Sequence, residues 1–397
     1  MRRIGLGVID QALASASNVL FVLVLGRVLS PADFGYHALA YTAITVVVAV
    51  VAGAFGTLIL TASGDHADVR SQAAGALSWV GLITLPLAGA ATVALAVAET
   101  PVTPLLALGL GVLPLQSIPR FTAPALGRAA TAVLADALWC VTTFALMAAT
   151  WAGVTISAEA ATVTWLGAAT ASGMLARRLL GLPLLRRGLR AWLLDQAADR
   201  GRFGAEASVG SASSLIVAFA VTGFVGPGAN AAIRGASTLL GPINVLITSI
   251  RTAVVPVLSR QEDKTFAHLS RVLLPLTLTI GAVSIGVTAF ALWLPESLGA
   301  LLLGDSWVLV APVLAIYGVE YLGQALFAHS TAIAVSRADS RAVLSSRIVL
   351  AIAQLTACLT AAIVFASATA VATASAVAVW ITSVVVTVAI ARGIDRR

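Results

Sequence analysis

Apolar residues arrive in long blocks along this chain. About twelve stretches, roughly 9–30, 34–61, 73–97, 101–124, 130–153, 157–182, 206–226, 229–256, 269–294, 307–334, 340–365 and 368–391, are dominated by aliphatic residues and separated by short polar segments. A helix needs about 20 mainly apolar residues to cross the hydrocarbon core of a bilayer. Barrel strands would be about ten residues long and would alternate in polarity. These runs are longer and apolar all round, so the pattern predicts an all-α membrane protein with about 12 transmembrane helices. The first run follows only two arginines, and no small-residue cleavage site leads into a soluble domain. It is therefore expected to stay as the first span and not to be removed as a signal peptide.

The order of elements repeats. Ser15-Ala16-Ser17 returns as Ser211-Ala212-Ser213, and Pro31 returns as Pro227, both at a shift of 196. Each triplet opens a span, each proline ends it, and the next span in each half is followed by a short charged loop, 64–71 or 260–269. Two six-helix pseudo-repeats around a central cavity are the expected arrangement. The expected division is 1–183 for the first lobe, 184–205 for a linker and 206–397 for the second lobe. The linker holds Arg186, Arg187, Arg190, Trp192, Leu193, Leu194, Arg200 and Arg202. It reads either as a basic amphipathic helix on the inner membrane surface or as a solvated connector.

Composition agrees with a lipid solvent. Hydrophobic residues make up 59% of the 397 and charged residues only 10%, against about 25% charged in soluble domains. The net charge of +7 does not point to nucleic acid, because of where the charges fall. With the N-terminus inside, every basic residue except Arg27, Arg120, Arg234, Arg251 and Arg347 lies in or beside an inner loop. The outer loops hold Asp33, Glu99, Glu159, Glu296 and Asp305. This is the positive-inside pattern, and it places both termini in the cytoplasm of a multi-pass protein. Attraction to anionic membrane lipid is a secondary expectation. Arginine far outnumbers lysine and alanine is abundant, which is in keeping with a GC-rich bacterial source and the cytoplasmic (inner) membrane. Cys140 and Cys358 both fall inside spans, so no disulfide framework is indicated.

The run from Asp10-Gln11-Ala12-Leu13-Ala14-Ser15-Ala16-Ser17-Asn18 through Gly26-Arg27-Val28-Leu29-Ser30-Pro31-Ala32-Asp33-Phe34-Gly35 resembles the first two helices of polysaccharide-export flippases. These belong to the multidrug/oligosaccharidyl-lipid/polysaccharide (MOP) exporter superfamily. The resemblance covers about the first 45 residues and rests on the arginine, the proline–acid turn and the Phe-Gly pair. The second half departs from it, with Gly223 and Gly228-Ala229 where the first half has the arginine and the acid. The resemblance implies alternating access and flipping of an isoprenoid-diphosphate-linked oligosaccharide for surface polysaccharide synthesis. It implies a lipid-linked saccharide as substrate, with a polysaccharide polymerase or glycosyltransferases as partners.

Charges at bilayer depth carry the candidate chemistry. Each costs about 2.5–3.5 kcal/mol on the insertion scale, so they need a wet or paired setting. The five arginines named above face two deep acids, Asp136 and Glu320. A positive interior suits a diphosphate, which arginine holds with a planar two-pronged fork. Substrate contact is therefore assigned to Arg27, Arg120, Arg234, Asn244, Arg251 and Arg347, with Gln116 and Gln354 beside them. Arg27 stands nine residues past Asn18 and either meets substrate or bonds the turn. Arg120 and Arg347 either meet substrate or reach toward the inner surface. Asp136 and Glu320 either carry coupling protons or brace helices through salt bridges. Asn230, Arg234, Ser237, Gly241, Asn244, Thr248 and Arg251 advance in steps of three and four, one face of a continuous helix. That face either lines a cavity or packs as a polar seam.

Nothing in the sequence marks catalysis, a metal site or a cofactor. The four histidines are scattered without ligand spacing, and no glycine-rich loop ends in Lys-Ser or Lys-Thr. Three rival readings remain, one of them a non-transporting scaffold, which a cavity lined by charge argues against. A cation-coupled multidrug antiporter would need an acidic or aromatic cavity, and only four tyrosines are present. A membrane polysaccharide polymerase or ligase would need a sizeable outer loop. If the 230–251 face lines water, single cysteines at Ser237 and Asn244, in a background lacking Cys140 and Cys358, will react with a water-soluble thiol reagent. Uniform resistance in a labelling time course would make the face a packing seam.

Overall fold

The computed structural model describes residues 2–61, 66–183, 188–249, 258, 261–337 and 339–395, and among them it is helical with no strand. The chain forms two compact units, Met1–Leu215 and Ile216–Arg397. The first contains α1 (Arg2–Val28), α2 (Pro31–Val51), α3 (Thr57–Thr61), α4 (His66–Val97), α5 (Gly109–Ala125), α6 (Ala129–Trp151), α7 (Ala158–Leu180) and α8 (Leu189–Asp195). Helix α9 (Ala197–Ala220) follows, so the helix opening the second half starts before the expected 206. Then come α10 (Pro227–Leu239), α11 (Gly241–Ser249), α12 (Phe266–Leu292), α13 (Glu296–Leu303), α14 (Trp307–Ser336), α15 (Ser340–Phe365) and α16 (Ala368–Asp395).

Among the described residues, ten helical runs are long and apolar enough to cross a membrane. Each corresponds to an expected span. The two further expected spans are α7, whose 23 residues reach about 35 Å at 1.5 Å per residue, and the eighth, whose described part is α10 and α11. The outward surface confirms the solvent: Leu82, Val97, Val141, Phe290, Phe365 and Ile381 are all exposed. A surface so rich in large apolar side chains is stable in lipid and not in water. Trp293, 87% exposed at the end of α12, sits where an indole anchors at a membrane–water interface. The protein is a multi-pass all-α membrane protein.

Local sequence explains the helix ends. Ser30 caps α2: its Oγ accepts from the Asp33 N–H at 3.1 Å and donates to Asp33 Oδ2 at 2.7 Å. Pro31 occupies the first turn, where its missing N–H costs nothing. Ser157 caps α7 and Asp339 caps α15 through the N–H groups of Ala160 and Ala342. Thr265 caps α12, and its own N–H donates to Asp263 Oδ1 at 2.8 Å. These bonds hold the Asp263 carboxyl below its usual range. Within the apolar interior, hydroxyls such as Ser78, Thr84, Thr143 and Ser284 donate to the carbonyl four residues earlier. That keeps these four hydroxyl protons from facing hydrocarbon.

In the first unit α1 packs on α6, α6 on α7, and α5 on both α4 and α7. An aromatic cluster fills its centre. Phe21 stacks on Trp165 at 4.0 Å between centroids, and Trp139 and Tyr41 lean on the same indole. In the second unit α14 packs on α10, α12 and α16, and α15 on α16.

Helix α8 is docked, not solvated. Trp192 is buried and its Nε1 donates to Gln72 Oε1 at 2.9 Å. Arg200, only 4% exposed, stacks over the Trp192 ring at 3.9 Å. Its Nη1 donates to the Trp192 and Leu193 carbonyls, and its Nη2 to Gln72. Arg200 thus leaves the set of inner-loop charges and satisfies the open end of α8. The indole lies flat on Gly75, where an added Cβ would stand 2.3 Å from Trp192 Cε2. Gly75→Val should therefore lift α8 and lower stability by about 1–3 kcal/mol, the usual cost of overpacking. Thermal unfolding of the purified variant in detergent checks this.

Candidate functional site

Polar side chains gather at one place in each unit. In the first, Gln116 and Arg120 stand one turn apart on α5 and both turn to Asp136 on α6. Gln116 Nε2 donates to Asp136 Oδ1 at 2.9 Å, and Arg120 Nε lies 2.6 Å from Asp136 Oδ2. That short approach is a charge contact, because neither of those two atoms has a hydrogen bond among the described residues. Arg120 Nη2 donates to Asp10 Oδ2 on α1 at 3.2 Å, and Ser172 on α7 reaches Asp136 Oδ1 at 3.5 Å. Asp136 is fully buried. One cation stands between two carboxylates, so the cluster is acidic in sum when all three are ionised.

The spacing of Gln116 and Arg120 anticipates their shared face, and the pairing of a deep arginine with Asp136 follows from charge. Asp10, near the start of α1, meets Arg120 as well, so this guanidinium is already engaged.

In the second unit Tyr317, Glu320, Tyr321 and Gln324 share α14. Gln324 Nε2 donates to Glu320 Oε1 at 2.9 Å, while Glu320 Oε2 is buried without a hydrogen bond among the described residues. Gln354 on α15 donates to Ser375 Oγ on α16 at 3.1 Å, and Ser375 neighbours the Glu320 carboxyl. Arg234 on α10 is half-buried and within electrostatic reach of Tyr317 and Tyr321. The two clusters draw on corresponding helices. Gln116, Asp136 and Ser172 come from the fourth, fifth and sixth spans of the first half. Glu320, Gln354 and Ser375 come from the same spans of the second. Ser172 and Ser375 carried no signal in the sequence, since serines are frequent in these helices.

The expected stripe on the eighth span is interrupted. Leu240 ends α10 in a turn and α11 restarts at Gly241-Pro242. Pro242 has no N–H to give the Thr238 carbonyl, and its ring opposes a continuous helix there. Asn230 is buried, Ser237 and Gly241 are half-buried, and Asn244 is exposed. Arg251 and the Thr248 side chain lie outside the described residues. Arg27 and Arg347 are both half-buried, in the last turn of α1 and within α15.

Two histidines are structural. The Thr103 N–H donates to His37 Nε2 at 3.0 Å, which leaves Nδ1 to donate to the Asp33 carbonyl at 2.8 Å. Thr277 spends its hydroxyl proton on the Leu273 carbonyl, so it accepts from His329 Nδ1, and Nε2 accepts from Ser270. Both rings are fixed as neutral tautomers by this bonding. Among the described residues no group of three His, Cys, Asp or Glu is arranged to hold a metal ion.

No protein-family model and no curated protein matches this sequence. Solved structures do match. An inward-facing multidrug resistance MATE family transporter of the MOP superfamily aligns with a TM-score of 0.75 at 13% identity over 98% of both chains. The lipid II flippase MurJ, in an inward closed conformation, aligns at 0.73 and 11% identity over 97% of this chain and 87% of that one. A MOP superfamily transporter from Pyrococcus furiosus Vc1, described as having a binding pocket of reverse polarity that suggests a different function, aligns at 0.62 and 14% identity over 99% and 95%. The fold is that of the MOP superfamily transporters, as the opening motif implied.

Arg120→Ala would strand two carboxylates inside the first unit. It should cost about 3–5 kcal/mol, the usual penalty for breaking a buried ion pair from one side. Asp10→Asn/Arg120→Gln/Asp136→Asn should recover most of that. Chemical unfolding of the purified variants reads both values.

Proposed function

We propose that this protein flips an isoprenoid-diphosphate-linked oligosaccharide across the bacterial cytoplasmic membrane by alternating access, with both termini in the cytoplasm. The observation that carries the reading is the charge of the second unit's spans. Away from their ends these hold Arg234, Arg251 and Arg347 against one carboxylate, Glu320. A diphosphate entering a low-dielectric site needs such an excess, and guanidinium groups bind its oxygens in pairs. The fold shared with a lipid II flippase supports the class of cargo. Asn244 and Gln354 are the further contacts proposed for the headgroup. Arg120 and Gln116 serve instead to hold Asp136. No covalent step is required, and the prenyl tail stays in lipid while the headgroup changes sides.

A second reading draws on the first unit. Two carboxylates around one arginine, Asp10 and Asp136 about Arg120, are what a cation-coupled antiporter would use, and the matching MATE transporters keep that reading open. In a flippase the same cluster, with Glu320, would couple ion movement to the cycle.

In cells depleted of the protein, full-length lipid-linked saccharide should accumulate on the inner leaflet. Wild type should restore its sidedness and Arg234→Ala/Arg251→Ala should not. Normal sidedness in a strain without a redundant homologue would discard the flippase reading and leave the antiporter.

A further inference from the structure

The first unit carries a groove beside its Asp136 cluster. It has a volume of about 670 Å³ and runs between α4, α5 and α7, within the roughly 300–1,000 Å³ typical of ligand sites. Its walls are apolar, and it opens to the outside along Leu82, Leu85 and Met174, each more than half exposed. One end is lined by Arg177, in the last turn of α7. This guanidinium is set in place by its neighbour: Nη1 donates to the Leu182 carbonyl at 2.9 Å, while the Leu182 N–H donates to the Arg177 carbonyl at 3.0 Å. Its Nε has no hydrogen bond, and it meets no carboxylate among the described residues. An apolar trough ending at an uncompensated, pre-positioned cation is complementary to an aliphatic chain with an anionic head. A larger hollow of about 970 Å³ between α15 and α16 is lined by alanines, threonines and larger apolar residues with no charge, so apolar space alone is not the distinguishing feature.

We propose that this groove binds an anionic phospholipid of the inner leaflet, with one acyl chain along α4 and α7 and its phosphate on Arg177. The positive-inside pattern puts the Arg177 end at the leaflet where a bound lipid would meet cytoplasmic water. The groove borders the Asp136 cluster at Gln116, whose amide is turned to Asp136, and lipid binding there makes no use of that cluster.

Gly81 offers a clean block. A Cβ there would meet Leu115 Cδ2 at 3.7 Å and Leu85 Cδ1 at 3.9 Å, ordinary contacts, so Gly81→Leu fills the groove without moving backbone. The purified full chain is reconstituted with phosphatidylglycerol bearing a photoreactive acyl chain, and with phosphatidylcholine bearing the same chain. Phosphatidylglycerol should label segments 77–86 and 169–177 preferentially. Gly81→Leu should cut that labelling about tenfold. Arg177→Gln should lower it to the phosphatidylcholine level, a change of about tenfold for one lost charge-assisted contact. Arg178→Gln, an exposed neighbour of equal charge, should leave it unchanged. Equal labelling by the two lipids, or labelling indifferent to Gly81→Leu, overturns the proposal. So does displacement by a polyprenyl diphosphate that excess phosphatidylglycerol cannot match, since that would make the groove a substrate site. Competition between lipids on the unaltered protein decides the matter even if Arg177→Gln fails to fold.

Discussion

A guanidinium carried into hydrocarbon has to be met by the protein itself, and much of the first unit's polar arrangement answers to Arg120. Its partners come from outside its own helix: Asp136 from α6 and Asp10 from α1. Gln116 and Ser172 then take up the remaining capacity of Asp136. Four helices are thereby tied through one charge. An apolar seam tolerates sliding by a rotamer, but this cluster does not, because any displacement exposes a bare charge at a cost of several kcal/mol. The aromatic packing of Phe21, Trp139 and Trp165 involves three of the same helices, α1, α6 and α7, so dispersion and electrostatics select one register together.

The second unit handles its polar interior differently. Glu320 is held by an amide, Gln324, and beside a hydroxyl, Ser375. Neutral donors stabilise a carboxylate less than a guanidinium does. The contrast is between a carboxylate held by a guanidinium in the first unit and one held by neutral groups in the second.

Much of the fold was legible in the sequence, because lipid imposes a long apolar period that few other constraints mimic. The cap at Ser30-Pro31-Asp33 was legible for a local reason: every group that makes it lies within four residues. Spacing on a single helix also told which residues share a face, as with Gln116 and Arg120. It could not tell which helix that face would meet. That is why Ser172, Ser375 and the Asp10 contact were invisible, and why Arg200 passed for a loop charge when it is buried under an indole. The stripe on the eighth span failed for another reason. A step count presumes an unbroken helix, and Gly241-Pro242 ends that presumption in the middle of the count.

The docking of α8 bears on how the chain is made. Gln72 and Gly75, which receive Trp192, precede it by more than a hundred residues, and Arg200, which closes the arrangement, follows within one further helix. Every atom of that joint belongs to Met1–Leu215. The nascent chain therefore holds all the parts of the joint before most of the second half leaves the ribosome. Insertion of the later spans can begin from an anchored connector, and the membrane machinery meets a half with its own exit already set.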